Sequence, residues 1–402
     1  MRRLPAAEEM SLAHGPLILG PPVFEQGPFS RRVALQTGGA SANRWLYAWA
    51  LIVALIAWVP LVLLTAAQDG LRPDGALSSL LQDVGVYARC LVAIPALIIA
   101  DHLCGARLSM VAHYFAKGDL VPAAEIRQFD ALLDSTRRWC RSAWVALAIL
   151  AATWTLVLAL RHYLPSAEIP LWHHARDASA FSWAGWWHVV VAGPIMIALL
   201  IGWLWRLGVW TRFLVRVSVL PLELCAAHPD HAAGLKFVGY SVRAFAPIGF
   251  AVGAIFAGRM ANKVLHESAP MARFQDAAIV LVIVVLVLAS APLLAFVGRL
   301  LREWQEGVRT YGRLAQQLGV EFEHKWFRDR RVVDASVLEV TDFSAAVDLA
   351  GYASNVYDLR LTPADFKSLL FLACATLIPL VPVVVLTLPF DEIVKLVGGA
   401  FF

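Results

Sequence analysis

Four side chains that commonly bind metals or transfer protons occur within seven residues: Cys225, His228, Asp230 and His231. Thiolate, imidazole and carboxylate groups are ligands of zinc and iron, and the Cys-x-x-His-x-Asp-His spacing is compatible with such a site. A complete zinc site normally draws ligands from a second cluster, and the sequence shows none. The alternative, which we favour, is a capped turn in which Pro229 bends the chain and Asp230 or His231 satisfies backbone donors.

Three charged residues, Arg89, Asp101 and Arg243, interrupt or border apolar stretches. A charge deep in a bilayer costs at least ~2.5 kcal/mol and usually faces a partner or water. Arg89 and Asp101 are too far apart to pair on one helix, so each requires another helix or water. Arg243 lies about 10 Å into its apolar segment at 1.5 Å per residue. It could reach the interface by snorkelling, pair with a carboxylate or line an anion path.

A second group of histidines surrounds the connection before the fourth apolar segment. It comprises His162, His173, His174 and His188, with Glu168 and Asp177 nearby. The group predicts either a metal or proton-sensing site or an ordinary polar loop at the membrane interface. Neither histidine group lies at mid-membrane depth on two facing helices, so we expect no bis-histidine haem and no cofactor.

The composition places the chain in lipid. Of its 402 residues, 59% are hydrophobic and 16% charged, whereas soluble domains are about 25% charged. A transmembrane helix requires roughly 20 apolar residues. The candidate segments are Trp45–Gln68, a segment around Cys90–Ala100, Ser142–Leu160, one within Ala178–Trp205, Phe237–Gly258, Ala277–Gly298 and Ser368–Phe390. The predicted fold class is therefore all-α, a polytopic transmembrane helical bundle of about seven spans.

The distribution of lysine and arginine predicts the topology, because cytoplasmic loops retain basic residues. With the N-terminus inside, segments 1–44, 102–141, 206–243 and 299–367 contain 5, 6, 5 and 10 basic residues, which is 26 of 34. The outer segments contain seven, and Arg89 falls within span two. This division predicts seven crossings with the N-terminus inside and the C-terminus outside.

Four regions follow from this topology. They are a cytoplasmic tail over 1–43, spans one to six over 44–298, a cytoplasmic helical segment over 299–367, and the final span with a short outer tail over 368–402. Apolar residues at helical spacing predict an amphipathic cytoplasmic helix over 122–140, and residues 221–236 form the loop that contains the HPDH sequence. The same spacing predicts that the helix of span six continues to about residue 318. The stretch Thr362-Pro363-Ala364-Asp365 is predicted to cap the last helix, with Pro363 at its first position and the Asp365 carboxylate near the cap.

Prolines occur within six of the seven spans, including Pro247 and Pro292. Each removes a backbone donor and can kink or break its helix. Kinked helices are typical of bundles that surround a binding site or path, although proline is also common in membrane helices generally. Arg243, Arg89, Asp101, Pro247 and Pro292 are accordingly the candidate path residues.

Two stretches resemble a known group of proteins. The sequence HPDHAAGLKFVG is similar to the HPD-x-x-GGL-x-F-x-G loop of uncharacterised bacterial polytopic inner-membrane proteins. The closing run LRLTPADFKSLLFLACATLIPLVPVVVL also resembles their last segment. Ala233 stands where the pattern has glycine, which leaves a tight turn there open. The resemblance implies a location in the bacterial inner membrane, multi-pass, and implies no activity.

The leading functional hypothesis is a transport or channel protein that moves a small ion or solute, and we expect it to form a homo-oligomer in the lipid bilayer. No glycine-rich phosphate loop is present, which argues against nucleotide-driven pumping. A net charge of +4 gives no reason to expect nucleic acid. The alternatives are a sensor or scaffold that engages a cytoplasmic protein through 299–367 and a membrane-embedded enzyme that uses the His228 loop.

Overall fold

The described part of the chain contains seven helices that are long and apolar enough to cross a membrane. The structure, a computed structural model, describes residues 23–24, 40–69, 75–163, 171–173, 181–267, 270–328 and 341–387. The spans are Arg44–Gln68, Val84–Lys117, Ala143–Leu160, Trp183–Val219, Lys236–Glu267, Ala272–Phe327 and Phe366–Leu386. Those ranges contain helices and no β-strand. The predicted all-α bundle is confirmed, and the chain is a multi-pass membrane protein.

Among the described residues, three further α-helices lie outside the spans. Ala76–Gln82 connects spans one and two, Ile126–Cys140 lies between spans two and three, and Thr341–Tyr357 packs against the extension of span six. We call Ile126–Cys140 the peripheral helix. Its Phe129 and Leu133 are buried, as the predicted amphipathic spacing requires. Span six continues as helix Val297–Glu323, so the predicted extension is also confirmed.

Span two is far longer than its uncharged centre. It extends from Val84 to Lys117, so both Arg89 and Asp101 lie within it. Spans four and six likewise continue well beyond the lengths that apolar composition predicts. Helical hydrogen bonding does not stop at the bilayer surface, and polar residues can prolong a helix into water.

Helix irregularities coincide with the prolines. In span two a π-helical turn, Ala88–Ala93, immediately precedes Ile94–Lys117, which carries Pro95 in its first turn. In span four the π-helical turn His188–Ala192 precedes Gly193–Val219 with Pro194. Pro247 follows two short turns at the start of span five, and Pro292 lies in a 3-10 turn of span six. Proline cannot donate the usual bond, so the backbone adopts wider or tighter turns around it.

The hairpin of spans one and two and that of spans three and four share one layout, displaced by 99 residues. Spans two and four begin at residues 84 and 183, and each has a side chain that caps its first turn: Asp83 accepts from Val86 N, and Ser182 accepts from Gly185 N. Trp45 and Trp144, Pro95 and Pro194, and Arg107 and Arg206 are separated by the same 99 positions. The π-helical turns also correspond to within one residue.

Spans two and four run in the same direction. Trp203 Nε1 donates to the Leu97 carbonyl at 3.3 Å, and Arg206 contacts Asp101, so the residue numbers of the partners rise together along both helices. The two hairpins are therefore parallel to each other. The main core joins spans two, four, five and six, and a second cluster joins spans one, two and four.

Two residues of the predicted tail lie in the core. The backbone N–H groups of Val23 and Phe24 both donate to Ser109 Oγ, at 3.1 and 3.0 Å. The Phe24 ring is fully buried and meets Trp210 and Phe213 edge-on, with ring centroids 5.3 and 5.8 Å apart. These two residues are thus anchored in the core, whereas the sequence predicts only a cytoplasmic tail over 1–43. The rest of 1–39 lies outside the described residues.

The start of span seven differs from the prediction. The helix begins at Phe366 and its N-cap is Asp365, whose side chain accepts the backbone N–H of Ser368. The predicted cap at Thr362 is wrong. A carboxylate at the cap satisfies a helix donor at least as well as a threonine hydroxyl, and Asp365 also has a cationic partner that the sequence does not reveal.

Candidate functional site

A cavity of about 490 Å³ lies between spans one, two, three and four. Almost all of its lining is aliphatic or aromatic, and its polar side chains are Asp101, Thr153 and Arg206. We call this cavity the chamber. Pro194, which follows the π-helical turn of span four, lines it, whereas Pro247 and Pro292 do not. The two similar hairpins thus meet around the chamber, each contributing two helices.

One end of the chamber carries a buried ion pair. Arg206 Nη2 contacts Asp101 Oδ1, and Arg206 Nη1 donates to the Asp101 carbonyl at 2.8 Å. The Arg206 guanidinium also lies over the Trp203 ring, 4.8 Å from its centroid. The side chain of Arg206 is only 5% exposed, and that of Asp101 is 27% exposed. Asp101 therefore has its partner on another helix, as its separation from Arg89 requires.

The ion pair lies near the peripheral helix. Trp205, beside Arg206 in sequence, stacks on Trp139 of the peripheral helix with ring centroids 5.6 Å apart. The Arg212 guanidinium also lies over the Trp139 ring, 4.9 Å from its centroid. Burial raises the pKa of the nearby Cys140 thiol to about 11, although the charge of Arg206 acts in the opposite direction. The polar end is thus at the side of the membrane that the basic residues predict to be cytoplasmic.

Thr153 places a hydroxyl halfway along the chamber. It is 1% exposed, and its Oγ1 has no hydrogen-bond partner in the described part of the chain. Helical threonines usually donate to the carbonyl four residues back, and Thr65, Thr136 and Thr155 do so here at 2.8 to 2.9 Å. Thr153 lies ten residues from the start of its helix at Ala143, about 15 Å at 1.5 Å per residue. Thr153 thus places a buried hydroxyl, unused by its own helix, in the wall of the chamber.

The chamber opens toward lipid. Trp49, Leu150, Trp154 and Val190 line it and are each more than 40% exposed on the molecular surface. These residues belong to spans one, three and four, so an apolar molecule could enter sideways from the bilayer. The wall opposite consists of buried residues such as Leu97 and Trp203.

Arg89 lies in a different polar cluster, near the start of span two. The buried Asp83 carboxylate accepts from Asn262 Nδ2 at 2.7 Å and from Trp172 Nε1 at 3.1 Å. Arg89 Nε is buried and has no hydrogen-bond partner among the described residues. This cluster links spans two and five to the loop before span four, and Asp83 was not predicted to belong to a site.

Two of the outer histidines meet in the same region. The rings of His173 and His188 lie 4.9 Å apart, and both contact Trp172. His162 is exposed on its helix. His174, Glu168 and Asp177 lie outside the described residues. In the described part of the chain, no three histidine, cysteine, aspartate or glutamate side chains are arranged to hold a metal ion.

Arg243 pairs with a carboxylate of another span. Its Nη2 lies 3.2 Å from Asp365 Oδ2, its Nε donates to Ser368 Oγ at 2.9 Å, and its guanidinium lies over Tyr240. Burial raises the pKa of Asp365, but hydrogen bonds from Ser368 and Arg243 lower the pKa by more than burial raises it. The net pKa of Asp365 is therefore below its usual value. The sequence left snorkelling, pairing with a carboxylate and an anion path open for Arg243, and this geometry corresponds to pairing with a carboxylate.

Asp230 organises the HPDH loop. Its carboxylate accepts the backbone N–H groups of Ala232, Gly234 and Lys236 at 2.8, 3.1 and 3.1 Å, and its Oδ1 lies 2.9 Å from His228 Nδ1. Burial raises the pKa of Asp230, but together these donors lower the pKa by more than burial raises it. The net pKa of Asp230 is therefore below its usual value. The arrangement is the capped turn, with Asp230 as the acceptor.

The remaining groups of the loop have separate surroundings. His231 Nδ1 is buried without a hydrogen-bond partner among the described residues, and its carbonyl accepts from Arg360 N at 2.8 Å. Cys225 is exposed. His231 and Ala233 both have φ of 54°, so Ala233 adopts the left-handed conformation that the related pattern assigns to glycine. The tight turn forms despite the alanine.

No family model, curated protein or solved structure matches this chain. The site must therefore be interpreted from its own geometry. Arg89, Asp101, Arg243 and the HPDH loop occupy separate places, and only Asp101 lines the chamber. Arg206 and Thr153 were missed by the sequence analysis, which assigned Arg206 to a cytoplasmic segment. The apolar residues on both sides of Arg206, in IGWLWRLGVW, are the signal that could have marked it.

We expect Asp230→Asn to lower the stability of the protein by about 2 kcal/mol at pH 7, because three backbone donors lose a charged acceptor. A carboxyl whose pKa is lowered on folding stabilises the protein above its unfolded pKa of about 3.9 and loses that contribution as pH falls through the folded value. The difference between wild type and variant should therefore shrink below about pH 4. Thermal melting in detergent across pH measures both effects.

The control for this prediction is Asp130→Asn on the exposed face of the peripheral helix. It removes a carboxylate of the same type without disturbing the loop and should leave melting unchanged. Equal melting of the Asp230 and Asp130 variants would contradict the assigned role of Asp230.

Proposed function

We propose that this membrane protein transports a small amphipathic molecule through the chamber between spans one to four. The observation that supports this most is the position of the chamber, between two hairpins that share a layout. Substrate sites of many transporters lie at the interface of internal repeats and are formed by interrupted helices. Here both even-numbered spans are interrupted by a π-helical turn and a proline. In span four the turn and Pro194 line the chamber, and in span two the lining begins at Leu97, two residues after Pro95.

The common layout supports an internal duplication of a two-span unit. The two units are parallel, which corresponds to a repeat axis along the membrane normal. Two packed units related in this way can rock against each other and expose the space between them to alternate sides. The π-helical turns provide the points at which each helix can bend, since such turns loosen the regular hydrogen-bond ladder.

The lining favours an amphipathic cargo over a free inorganic ion. The chamber is apolar apart from three side chains and opens toward lipid, and an ion would require many more polar groups in place of its hydration shell. The contacts of Arg243 with Asp365 and Ser368 also leave less support for Arg243 as a residue of an ion path.

Reconstitution into proteoliposomes tests the proposal. The probe is a single-chain lipid with a fluorescent head group, whose movement between leaflets is followed by chemical quenching from outside. Ala198→Phe places a ring inside the chamber and should reduce the rate at least about tenfold, because the volume for the cargo is filled. Ala148→Phe, on the exposed face of span three, is the matched control and should be neutral.

Protein-dependent movement that is equal in wild type and the Ala198 variant would show that the chamber is not the path. Absence of any protein-dependent movement, or protein-dependent flux of potassium instead, would refute transport of amphipaths. The Ala148 variant controls for the addition of a large ring to the lipid-facing surface.

A sensor or scaffold is the second candidate, supported by the apolar surface outside the bilayer. The extension of span six and helix Thr341–Tyr357 pack together but leave large side chains exposed: Leu314, Val320, Phe327, Val347, Tyr352 and Tyr357. A cytoplasmic partner or a second copy of the chain could cover them. Co-purification of a stoichiometric soluble protein, lost when Val347 and Tyr352 are replaced by serine, would favour this candidate.

The enzyme hypothesis has less support. Asp230 and His228 are engaged in the turn, and an enzyme site would require a nucleophile or base beside a substrate position. We also propose the bacterial inner membrane as the location, which rests on the resemblance and on the basic residues.

The topology prediction is that cysteines placed at Gln128 and Gly319 are protected from a membrane-impermeant maleimide in intact cells, whereas one at Gly75 is labelled. All three positions are at least partly exposed, so protection would reflect the membrane side. The background must lack the native cysteines, because Cys225 and Cys374 are exposed. Labelling of Gln128 from outside would contradict the orientation with the N-terminus inside.

A further inference from the structure

We infer that the chamber binds a molecule with one alkyl chain and an anionic head group, with the head group at Arg206. The inference rests on the proposed function, because it names the class of molecule that the chamber takes. Three properties of the described residues carry it: the shape of the chamber, the unused donors of Arg206 and the excess of positive charge at that end.

The shape favours a single chain. The lining residues of span four extend from Val190 to Arg206, which is 16 residues or about 24 Å of helix at 1.5 Å per residue. The residues that line this length are almost all apolar, so the chamber is an elongated apolar space that suits an extended alkyl chain.

Arg206 retains donors for a ligand. A guanidinium has five N–H donors, and Arg206 uses two of them, both toward Asp101. The remaining N–H groups of Arg206 have no protein acceptor in the described part of the chain, although its side chain is only 5% exposed. No Arg206 nitrogen is among the described side-chain atoms that are fully enclosed without a partner. Its unused N–H groups therefore face accessible space beside the chamber and can donate to an acceptor that enters it.

The charges at this end select an anion. Asp101 is the carboxylate that faces Arg206, and the pair alone is neutral. Arg141 is next to Cys140 in sequence, and the charges of Arg141, Arg206 and Asp101 all act on the Cys140 thiol, so Arg141 lies close to the ion pair. Arg212 lies over Trp139, while the nearby Asp134 is already paired with Arg137. The remaining positive charge favours a carboxylate or phosphate head group.

Thr153 provides a second polar contact deeper in the chamber. Its unpartnered hydroxyl is about 15 Å from the start of span three, measured at 1.5 Å per residue. A head group that leaves Arg206 and moves through the chamber would meet this hydroxyl near mid-membrane. Thr153 is therefore expected to affect the rate of movement more than the affinity of the bound state at Arg206.

Equilibrium quenching of tryptophan fluorescence tests the inference, because Trp49, Trp154 and Trp203 line the chamber. The protein is placed in phosphatidylcholine nanodiscs and titrated with 9,10-dibromostearic acid at pH 8.5. The matched neutral probe is dibromostearyl alcohol, and a brominated phosphatidylglycerol distinguishes a membrane lipid from a free single-chain acid. The Ala198→Phe variant gives the quenching that arises from the bilayer alone.

We expect saturable quenching in wild type, with the acid binding about tenfold more tightly than the alcohol, as charge-assisted hydrogen bonds imply. In the double variant Asp101→Asn with Arg206→Gln, which removes both charges of the pair, the acid and the alcohol should bind equally. Ala148→Phe should behave as wild type. Stronger binding of phosphatidylglycerol than of the acid would overturn the single-chain part of the inference, because phosphatidylglycerol has two alkyl chains.

Equal affinity of the acid and the alcohol in wild type would overturn the inference, as would a preference for the acid that survives in the double variant. Because the measurement involves no flux, its failure is distinct from that of transport. Selective binding without movement between leaflets would refute transport alone, and movement of neutral probes without selective binding would refute the anionic class alone.

Discussion

Gly253→Ala is expected to destabilise the protein by about 3 kcal/mol, because the added methyl group has no space. A Cβ atom at Gly253 would lie 2.0 Å from the carbonyl oxygen of Thr376 in span seven. Backbone atoms must separate to accommodate it, since neither partner can change rotamer. One turn earlier, a Cβ at Gly249 would lie 2.5 Å from Thr376 Oγ1. The G-x-x-x-G spacing thus brings spans five and seven into direct backbone contact.

The matched control is Gly298→Ala, a helical glycine with no atom within 4 Å of an added Cβ. There the methyl group should stabilise the helix by roughly 0.5–1 kcal/mol, because alanine loses less backbone entropy. The two variants are therefore expected to shift thermal melting in opposite directions. If the Gly253 variant melted at or above the wild-type temperature, the close packing of spans five and seven would be incorrect.

Arg206→Leu is expected to destabilise the protein by about 3 kcal/mol, the lower end of the range for breaking a buried pair. The change removes the Arg206 guanidinium from Asp101, which is 27% exposed and lines an apolar chamber. Loss of the Arg206 contact with the Asp101 carbonyl also separates spans two and four at this end. Chemical denaturation or thermal melting in detergent measures the effect.

Two further variants isolate the cause. The double variant Asp101→Asn with Arg206→Gln should recover most of the stability, because it removes both charges of the pair together. Asp134→Asn removes an exposed partner of Arg137 and should change stability by less than about 1 kcal/mol. A single Arg206 variant no less stable than the Asp134 variant would show that the Arg206–Asp101 pair does not hold the two spans together.

The sequence determined the features that depend on neighbouring residues. Seven apolar segments of sufficient length specify seven spans, because lipid leaves the backbone no partner except its own helix. The same local logic predicted the peripheral helix from the spacing of Phe129 and Leu133, and the extension of span six from its apolar repeat. The prolines at positions 247 and 292 likewise marked helix irregularities, since a missing N–H acts within one turn.

For the loop that contains Asp230, the sequence predicted two alternatives, a capped turn and a metal site. An aspartate after proline predicts an acceptor for nearby N–H groups, but metal binding uses the same residue types. The structure favours the turn because three backbone donors converge on one carboxylate. Convergence of this kind depends on the left-handed conformations of His231 and Ala233, which local propensity alone does not predict.

Only the tertiary structure decided which distant groups meet. The sequence required partners for Asp101 and Arg243 but gave no means of choosing them, and they are Arg206 and Asp365. The chamber likewise arises from the packing of four helices, and no residue pattern within one helix encodes a space between several. Side-chain pairing across helices depends on their rotation and depth, which are set by all their contacts together, whereas the formation of each helix depends on its own sequence and on the lipid around it.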